Sequence, residues 1–579
     1  MPHPVLQVIA STSLQPMDLT TLRAVLWDLR PKLVPSRFEK AQQPDPATIQ
    51  LGCRSLKGMV WLELSWQAEA PRLVEVNPPP RSGSGSTFAQ QLQHSLRQLA
   101  LVELHQSGFE RVVEFRFAQR PGEPIQRVLV LELMGRHSNL LLLDEQRRII
   151  ALGRQVRDHQ SRVRPLSTGD SYSPPPMLQG LAPDPTEGFE RWKERLSLVP
   201  IALRKALQQT YQGISPALAL QLAGDHLNTP VDSLDARHWC HLFERWSLWL
   251  DQLEREQFAL VVENDGRYRV WGSPRGEVHP QMHPQPALAL TLGSLHQQCQ
   301  EQRAMARVSQ DLRQRLERWR SKEHAAQQDQ HQRLKATDGH GALQRQADAL
   351  LCLGNPSRDQ VDEAQSLYRR AKKLRRSRPI LEQRLEHHQQ RLELINASET
   401  FIEDQLSATW QDGPARLAAL NDLREELDEL LQPKERRRST RQQRQRDQPK
   451  PLELNTPGGL KVQVGRNHRQ NDWISLRQAR SGDLWFHAQE CPGSHVVLKS
   501  SNGLAEESDL AMATDLAAYF SRARGNTRVA VVMVPTDQLQ RIPGAGPGTV
   551  RHGQAEIRWG DPQGAEERLL APSLSPHSG

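Results

Sequence analysis

Apolar residues recur along this chain with two different periods, and the changes of period divide it into four regions. From Leu19 to Leu33 they fall at Leu22, Val25, Leu26, Leu29 and Leu33, the spacing of a helix with one buried face. Beyond it the period drops to two. Val60, Leu62 and Leu64 alternate, as do Val113, Phe115 and Phe117 against Glu114 and Arg116, which predicts half-buried strands. RVLVLELM and NLLLLD are then two apolar runs separated by Gly135-Arg136-His137-Ser138, a length and composition suited to a hairpin turn. The loop Pro78-Pro79-Pro80 with RSGSGS (81–86) interrupts this first region, and Pro174-Pro175-Pro176 closes it.

The second region, 188–258, reads as all-helical. Leu203, Leu207, Leu218 and Leu222 keep helical spacing, and Gly213-Ile214-Ser215-Pro216 marks a tight turn between two helices. Such a unit suits either a helix-hairpin-helix nucleic-acid module, whose turn offers backbone N–H groups to a phosphate, or plain packing. The third region, 295–432, carries two long arms poor in Gly and Pro. Met305, Val308, Leu312, Leu316 and Trp319 step along the first; Leu381, Leu385, Leu392, Ile395, Ile402 and Leu406 step along the second. Breaks at Gly339-His340-Gly341 and Gly354-Asn355-Pro356 lie between them, so the arms are expected to form a long antiparallel coiled coil, with Pro379 ending or kinking a helix. The fourth region, 452–560, is mixed again: 460–464 alternates, 509–524 has a helical face through Leu510, Ala513, Ala517 and Phe520, and VAVVMV (529–534) reads as a buried strand. The Pro/Ser/Gly-rich tail 561–579 and the extension 1–16 are expected to be disordered. The fold class is therefore multi-domain α+β.

Length and composition agree with this division. The 579 residues are enough for several cores, and aromatics at 5% suit long solvated helices better than one large enzyme core. No run of about 18 apolar residues spans a bilayer. Nothing at the N-terminus resembles a secretory signal, and Cys53, Cys240, Cys299, Cys352 and Cys491 never form a C-x-x-C pair. A reducing, cytoplasmic setting is the expectation. The net charge of +8 is concentrated: RRAKKLRRSR (369–378) carries seven cations, and the stretch 434–450, within a basic linker at 433–451, nets +6. The rest of the chain is therefore acidic. Clustered Arg and Lys in two tracts point to a polyanion partner, and no amphipathic helix with bulky anchors flanks them to favour a membrane.

Candidate chemistry is densest in the fourth region. His487, Cys491 and His495 are spaced by four, but Pro492-Gly493 forbids the helix that would align them on a metal, and Cys491 has no basic neighbour in sequence to activate it. Neither a metal, a cofactor nor a catalytic residue is assigned. The remaining inventory of Arg466, Asn467, Asn471, Asp472, Trp485, His487, Ser494 and His495, placed on loops between short strands, suits hydrogen bonds and stacking to unpaired RNA. Gly544-Ala545-Gly546-Pro547-Gly548 reads as a turn between strands; no P-loop Lys-Ser/Thr follows it.

At these residues a family resemblance appears. GRNHRQNDWISLRQARSGDLWFHAQECPGSHVVL resembles the RNA-binding domain of the NFACT family, and Ala517-Ala518-Tyr519 and Pro547-Gly548 match later segments. Met17-Asp18, GFERVVEF and ELMGRHSNLLLLD resemble its N-terminal domain (17–180), the 188–258 unit matches its helix-hairpin-helix in place, and DEAQSLYRRAKKLRR resembles its returning coiled-coil arm. The similarity is closest to the bacterial ribosome-quality-control group of the RqcH type, long labelled fibronectin-binding protein A-like. It implies a cytoplasmic positioning factor, with peptide-bond chemistry left to the ribosome. Such a factor binds obstructed large ribosomal subunits carrying peptidyl-tRNA and recruits a charged tRNA, typically for alanine, for untemplated C-terminal tailing. Carried over by position, tRNA contacts fall on Glu110, Arg111, Arg136 and His137. Contacts to rRNA and peptidyl-tRNA fall on the fourth-region residues and on Arg369, Arg370, Lys372 and Lys373.

One departure opens an alternative. The family's tailing motif is Asp-Arg, and Glu110-Arg111 stands there, so the alternative is a subunit- and tRNA-binding factor without tailing. A surface adhesin, as the older label suggests, is opposed by the lack of a visible signal or anchor. A DNA glycosylase is rejected, because His3 follows Pro2 where Glu is needed and the four-cysteine zinc finger is missing. Neither DNA nor membrane is an expected partner.

Overall fold

The computed structural model describes all residues except 1–14, 81–85, 158–160, 162–163, 177–178, 264–265, 273–286, 353, 356, 432–447, 543–544 and 572–579. The chain divides after Gln300 into two compact units.

In the first unit, helix α1 (Leu19–Leu33) is followed by β1 (Ser36–Asp45), β2 (Thr48–Ser55), β3 (Gly58–Ser65) and β4 (Arg72–Val76). After α2 (Thr87–Ser95) come β5 (Ala100–His105), β6 (Val112–Ala118), β7 (Arg127–Glu132), β8 (Asn139–Leu143) and β9 (Ile149–Leu152). All nine strands form one antiparallel sheet in the order β4-β3-β2-β1-β5-β6-β7-β8-β9. The alternation at 60–64 and 113–117 becomes one buried face, where Leu62, Leu64, Val113, Phe115 and Phe117 pack with α1. Glu132 pairs with Asn139 across the Gly135–Ser138 turn, as its length and composition predict.

The helical unit follows as α3 (Phe189–Ser197), α4 (Leu203–Thr210), α5 (Pro216–Ala223) and α6 (Ala236–Glu254). Trp192, Trp239, Trp246 and Trp249 fill its core, and Trp249 Nε1 donates to Thr20 Oγ1 of α1 at 3.1 Å. The strands β10 (Val261–Val262) and β11 (Tyr268–Arg269) form a small hairpin.

Helix α7 (Leu288–Thr337) begins in the first unit; the second unit holds its remainder with α8 (His340–Leu351), α9 (Arg358–Ser407) and α10 (Gly413–Leu431). The two arms are α7 and α9. Arg320 meets Glu399, Glu323 meets Arg391 and His388, and Asp338 meets Arg378, a descending register that makes them antiparallel. Two further helices, α8 and α10, were not anticipated: Arg315 of α7 bridges to Asp428 of α10 at 2.6 Å, and Leu420, Leu423 and Leu427 join the shared core. The returning arm starts earlier than Leu381, at a capping box in which Ser357 and Gln360 each bond the other's backbone N–H.

Pro379 does not end this arm: α9 runs through it to Ser407. The residue is exposed, so the Arg375 carbonyl that loses its N–H partner faces water. Most of the basic linker, 432–447, lies outside the described residues.

The C-terminal part contains β12 (Leu452–Asn455), β13 (Lys461–Val464), α11 (His468–Asp472), β14 (Leu484–Ala488), β15 (Val496–Leu498) and α12 (Glu507–Tyr519). It continues as β16 (Val529–Pro535), β17 (Gln540–Arg541), β18 (Val550–Arg551), β19 (Glu556–Gly560) and α13 (Pro562–Leu570). Six strands pair in the order β12-β13-β15-β14-β16-β19, and β17 pairs with β18 across the Gly-rich turn. Helix α12 buries Ala513, Leu516 and Ala517 against one sheet face, beside Phe486, Val496 and Val531.

The expectation of disorder from 561 onward is corrected over 562–570. Asp561 caps α13 by accepting from the Gln563 and Gly564 amides, Pro562 opens the helix, and Arg568 pairs with Asp515 of α12 at 2.7 Å. Residues 1–14 of the expected N-terminal extension lie outside the described residues; Gln15 is ordered, its Oε1 accepting from the Tyr268 amide. Among the described residues, no helix is long and apolar enough to cross a membrane.

The exposed Pro379 generates a test. Pro379→Ala restores one helical N–H and should stabilise the chain by about 1–3 kcal/mol in thermal unfolding. A loss of stability would show that the proline is required by its surroundings.

Candidate nucleic-acid interface

Two strand connections meet at one end of the nine-stranded sheet. The loop 106–111 joins β5 to β6, and the turn 133–138 joins β7 to β8; the Leu133 amide donates to the Arg111 carbonyl at 2.9 Å. Gln106 shapes the first loop by donating to the carbonyls of Ser107, Gly108 and Glu110. Arg23 of α1 clamps it, bonding Gln106 Oε1 and the Gly108 carbonyl while its guanidinium lies 5.4 Å from the Phe109 ring centre. Phe109 and Leu19 press on Gly213 in the helix-hairpin turn, where φ is +77° and any Cβ would sit about 3 Å from both side chains.

Asp18 ties these pieces together. Its Oδ1 accepts the Thr21 amide at the start of α1, and its Oδ2 accepts the hydroxyl of Ser215, which itself caps α5. Arg111 is half-buried near this carboxylate; burial lowers its pKa, opposed by Asp18 and Glu110. Arg136 and His137 are exposed on the neighbouring turn. The four residues assigned to tRNA thus share one end of the sheet.

In the second unit, α9 presents Arg369, Arg370, Lys372, Lys373, Arg375 and Arg376 as exposed side chains, while Ala371 is buried. Arg378 differs from them because it pairs with Asp338 and Glu382. The six exposed cations concentrate positive charge on one stretch of the helix, the kind of charge that a run of phosphates neutralises.

The C-terminal residues are arranged differently from the expectation. Trp485 and His487 lie in strand β14, and Asn467–Asp472 cap and build α11, so these groups do not stand on open loops. Asn467 Oδ1 accepts the Gln470 amide, Asn471 Oδ1 accepts the His495 amide, and Asp472 pairs with Arg541 at 2.6 Å. Gly465 permits the Asn471 contact: a Cβ there would lie 2.8 Å from the Asn471 backbone nitrogen. Arg466 is half-buried and donates to Gln411 Oε1 at 2.7 Å; burial lowers its pKa. Ser494 is fully buried, and its hydroxyl has no partner among the described residues. Asn467, Asn471 and Asp472 therefore build the scaffold, because the short connections between strands cross a dry interior that demands internal hydrogen bonds.

What the scaffold supports is a ring cluster. Trp485 and His487 stack with centroids 5.5 Å apart and planes at 10°, and His495 meets both edge-on at 5.1 and 5.3 Å. His495 Nδ1 bonds the hydroxyl of Ser475, from a π-helical turn over Trp473–Arg477; His468 Nε2 bonds Ser398 of α9. Burial pushes His468 and His487 down to about 4, and His495 well below its ordinary value, so all three are neutral at pH 7. A cleft of about 710 Å³ opens on this cluster, walled by Asn396 of α9, Gln489–Gly493, Gly548–Val550, His552 and Gly553. Cys491 Sγ faces its own neighbour, the Pro492 carbonyl, at 3.6 Å. Among the described residues no three His, Cys, Asp or Glu side chains group as metal ligands.

Sequence reasoning missed Ile557, Trp559 and His552. The alternation Glu556-Ile557-Arg558-Trp559 was the available signal for the first two: an edge strand with one apolar face, left 44% and 64% exposed at Ile557 and Trp559.

Comparisons with known proteins match this layout. The sequence model for NFACT N-terminal and middle domains matches residues 18–355 and 354–445, and that for the NFACT protein RNA binding domain matches 450–558. A Streptococcus suis (strain 05ZYH33) protein named Rqc2 homolog RqcH is 28% identical over 540 residues, covering 92% of this chain and 95% of its own. The Bacillus subtilis (strain 168) protein of the same name is 23% identical over 555 residues, covering 91% and 94%. Among solved structures, the C-terminal part of the fibronectin/fibrinogen-binding protein from S. suis is 25% identical with TM-score 0.38, covering 46% of this chain and 98% of that one. Its N-terminal part is 23% identical with TM-score 0.38, covering 49% of this chain and 99% of that one.

The buried imidazoles make stability depend on pH. An unfolded histidine binds a proton below about pH 6.5, whereas folded His468 stays neutral until about 4, so each such group costs stability as pH falls through that window. His468→Gln should therefore lose less stability than the parent between pH 6.5 and 4.5, by roughly 1–3 kcal/mol in denaturant titrations. Parallel pH profiles would show that His468 is protonated in the folded chain.

Proposed function

This chain belongs to the NFACT family, and on that premise we propose that it is a ribosome-associated quality-control factor. It binds obstructed large ribosomal subunits carrying peptidyl-tRNA, in the cytoplasm, and recruits a charged tRNA, that for alanine, for untemplated C-terminal tailing of the stalled chain. The observation that carries the reading is the joint match of the N-terminal, middle and RNA-binding domains from residue 18 to 558, shared end to end with relatives named Rqc2 homolog RqcH.

The geometry supports a division of labour. The Glu110-Arg111 loop and the Arg136-His137 turn offer tRNA two cations and a histidine from one end of a rigid sheet. The α9 cations offer rRNA a row of phosphate contacts. Peptide-bond formation belongs to the ribosome in this reading, and the chain acts by positioning. Glu110 favours one second reading, a factor that binds subunit and tRNA without tailing: the longer side chain sets the carboxylate one methylene further from the backbone than the family's Asp.

Two experiments separate these functions. Arg111→Ala should abolish co-purification of tRNA while large-subunit binding persists; losing both together would contradict the division. Replacing the six open α9 cations by Gln should weaken subunit binding at least about tenfold and flatten its salt dependence by roughly 0.7–0.9 log units per lost phosphate contact. An unchanged salt slope would return that face to mere solvation.

A further inference from the structure

Strand register puts more than the ring cluster on one face of the six-stranded sheet. His487 pairs with Val532, which pairs with Ile557, and Ala530 pairs with Trp559. Directly paired residues share a face, so Trp485, His487, Ile557 and Trp559 all lie on the side away from α12. This apolar row runs from the cleft to an exposed tryptophan on the edge strand β19.

We propose that the cleft holds one unpaired nucleobase of a single RNA strand, stacked against His487, and that the strand leaves across the sheet over Ile557 and Trp559. The inference rests on the RNA-binding reading above and specifies what this face takes. The cleft is walled in part by Glu393 and Glu490, whose carboxylates repel a phosphate but accept hydrogen bonds from a base's amino edge. His487 and His495 are neutral and meet a base as flat rings; His495 Nδ1 is already bonded to Ser475, so stacking is the recognition they supply. Trp485 lines the cleft at 3% exposure, and its indole N–H has no acceptor among the described residues. A duplex keeps its bases stacked inside and cannot enter; a single strand presents them. Phosphates are served elsewhere, by the α9 cations.

The test uses the full chain and fluorescent RNA of about 12 nucleotides, single-stranded or in duplex, at fixed salt. The unaltered chain should prefer the single strand, and Trp559→Ala and His487→Ala should each weaken that binding about tenfold, with His487→Phe restoring most of it by stacking. Trp559 is exposed, so its variant reads the proposal even if His487→Ala folds poorly. Thiouridine photocrosslinks should map to 485–495 or 548–559. Unchanged single-strand affinity in both alanine variants, or crosslinks confined to 369–376, would overturn the proposal. So would variants that lose large-subunit binding while binding single strands normally, since the face would then grip protein. Co-sedimentation of the unaltered chain with large subunits is measured in parallel; its failure would sink the quality-control reading and is independent of the oligonucleotide result.

Discussion

Glu426 of α10 has no exposed surface, and its carboxylate accepts the backbone amides of His468 and Arg469 at the opening of α11. A helix of five residues cannot stabilise itself, and its first N–H groups need acceptors. Here a side chain from the preceding helix supplies them. Desolvation raises the Glu426 pKa to about 7, while the two amides and the Arg469 guanidinium pull the other way. Much else depends on this contact. With α11 fixed, Asn467 caps it, His468 reaches Ser398 of α9, and Asn471 holds the His495 amide. The ring cluster around Trp485 is packed behind that frame, so the helices and the sheet of the second unit are joined through polar groups that have no water to fall back on.

Asp18 does comparable work in the first unit. One carboxylate completes the caps of α1 and α5, near the half-buried Arg111. The loop that carries Arg111 is fixed by Gln106, Arg23 and Phe109, so the cation is presented by a rigid frame and not by a free loop. Rigid presentation suits a group that meets its partner in one fixed orientation.

Periodicity made the larger elements legible. Alternation at 113–117, the Gly135–Ser138 hairpin and the Gly213–Pro216 turn all stand where local pattern and turn chemistry put them, because there propensity and tertiary packing agree. Pro379 misled because a proline's cost is local, and an exposed position in a long, packed helix absorbs it. Helix α13 was hidden by its composition: its stability comes from Asp561, Arg568 and their contacts with α12, which no local window contains. Trp485, Asn467 and Asn471 were legible as special residues but not as buried ones. Trp485 is buried by Ile474, Val497, Val532 and Val534, and Asn467 and Asn471 belong to an α11 held by Glu426 of α10, which looks in sequence like any other acid on a solvated helix. Family motifs therefore singled out these residues as candidates, while telling those that brace the interior from those left accessible required the fold.

The central claim is that this chain grips a large ribosomal subunit and a tRNA at once. The most direct measurement is to recover the tagged chain from cell lysate and sequence the RNA that accompanies it. The account predicts large-subunit rRNA together with one strongly enriched tRNA species. Recovery without large-subunit rRNA would contradict it.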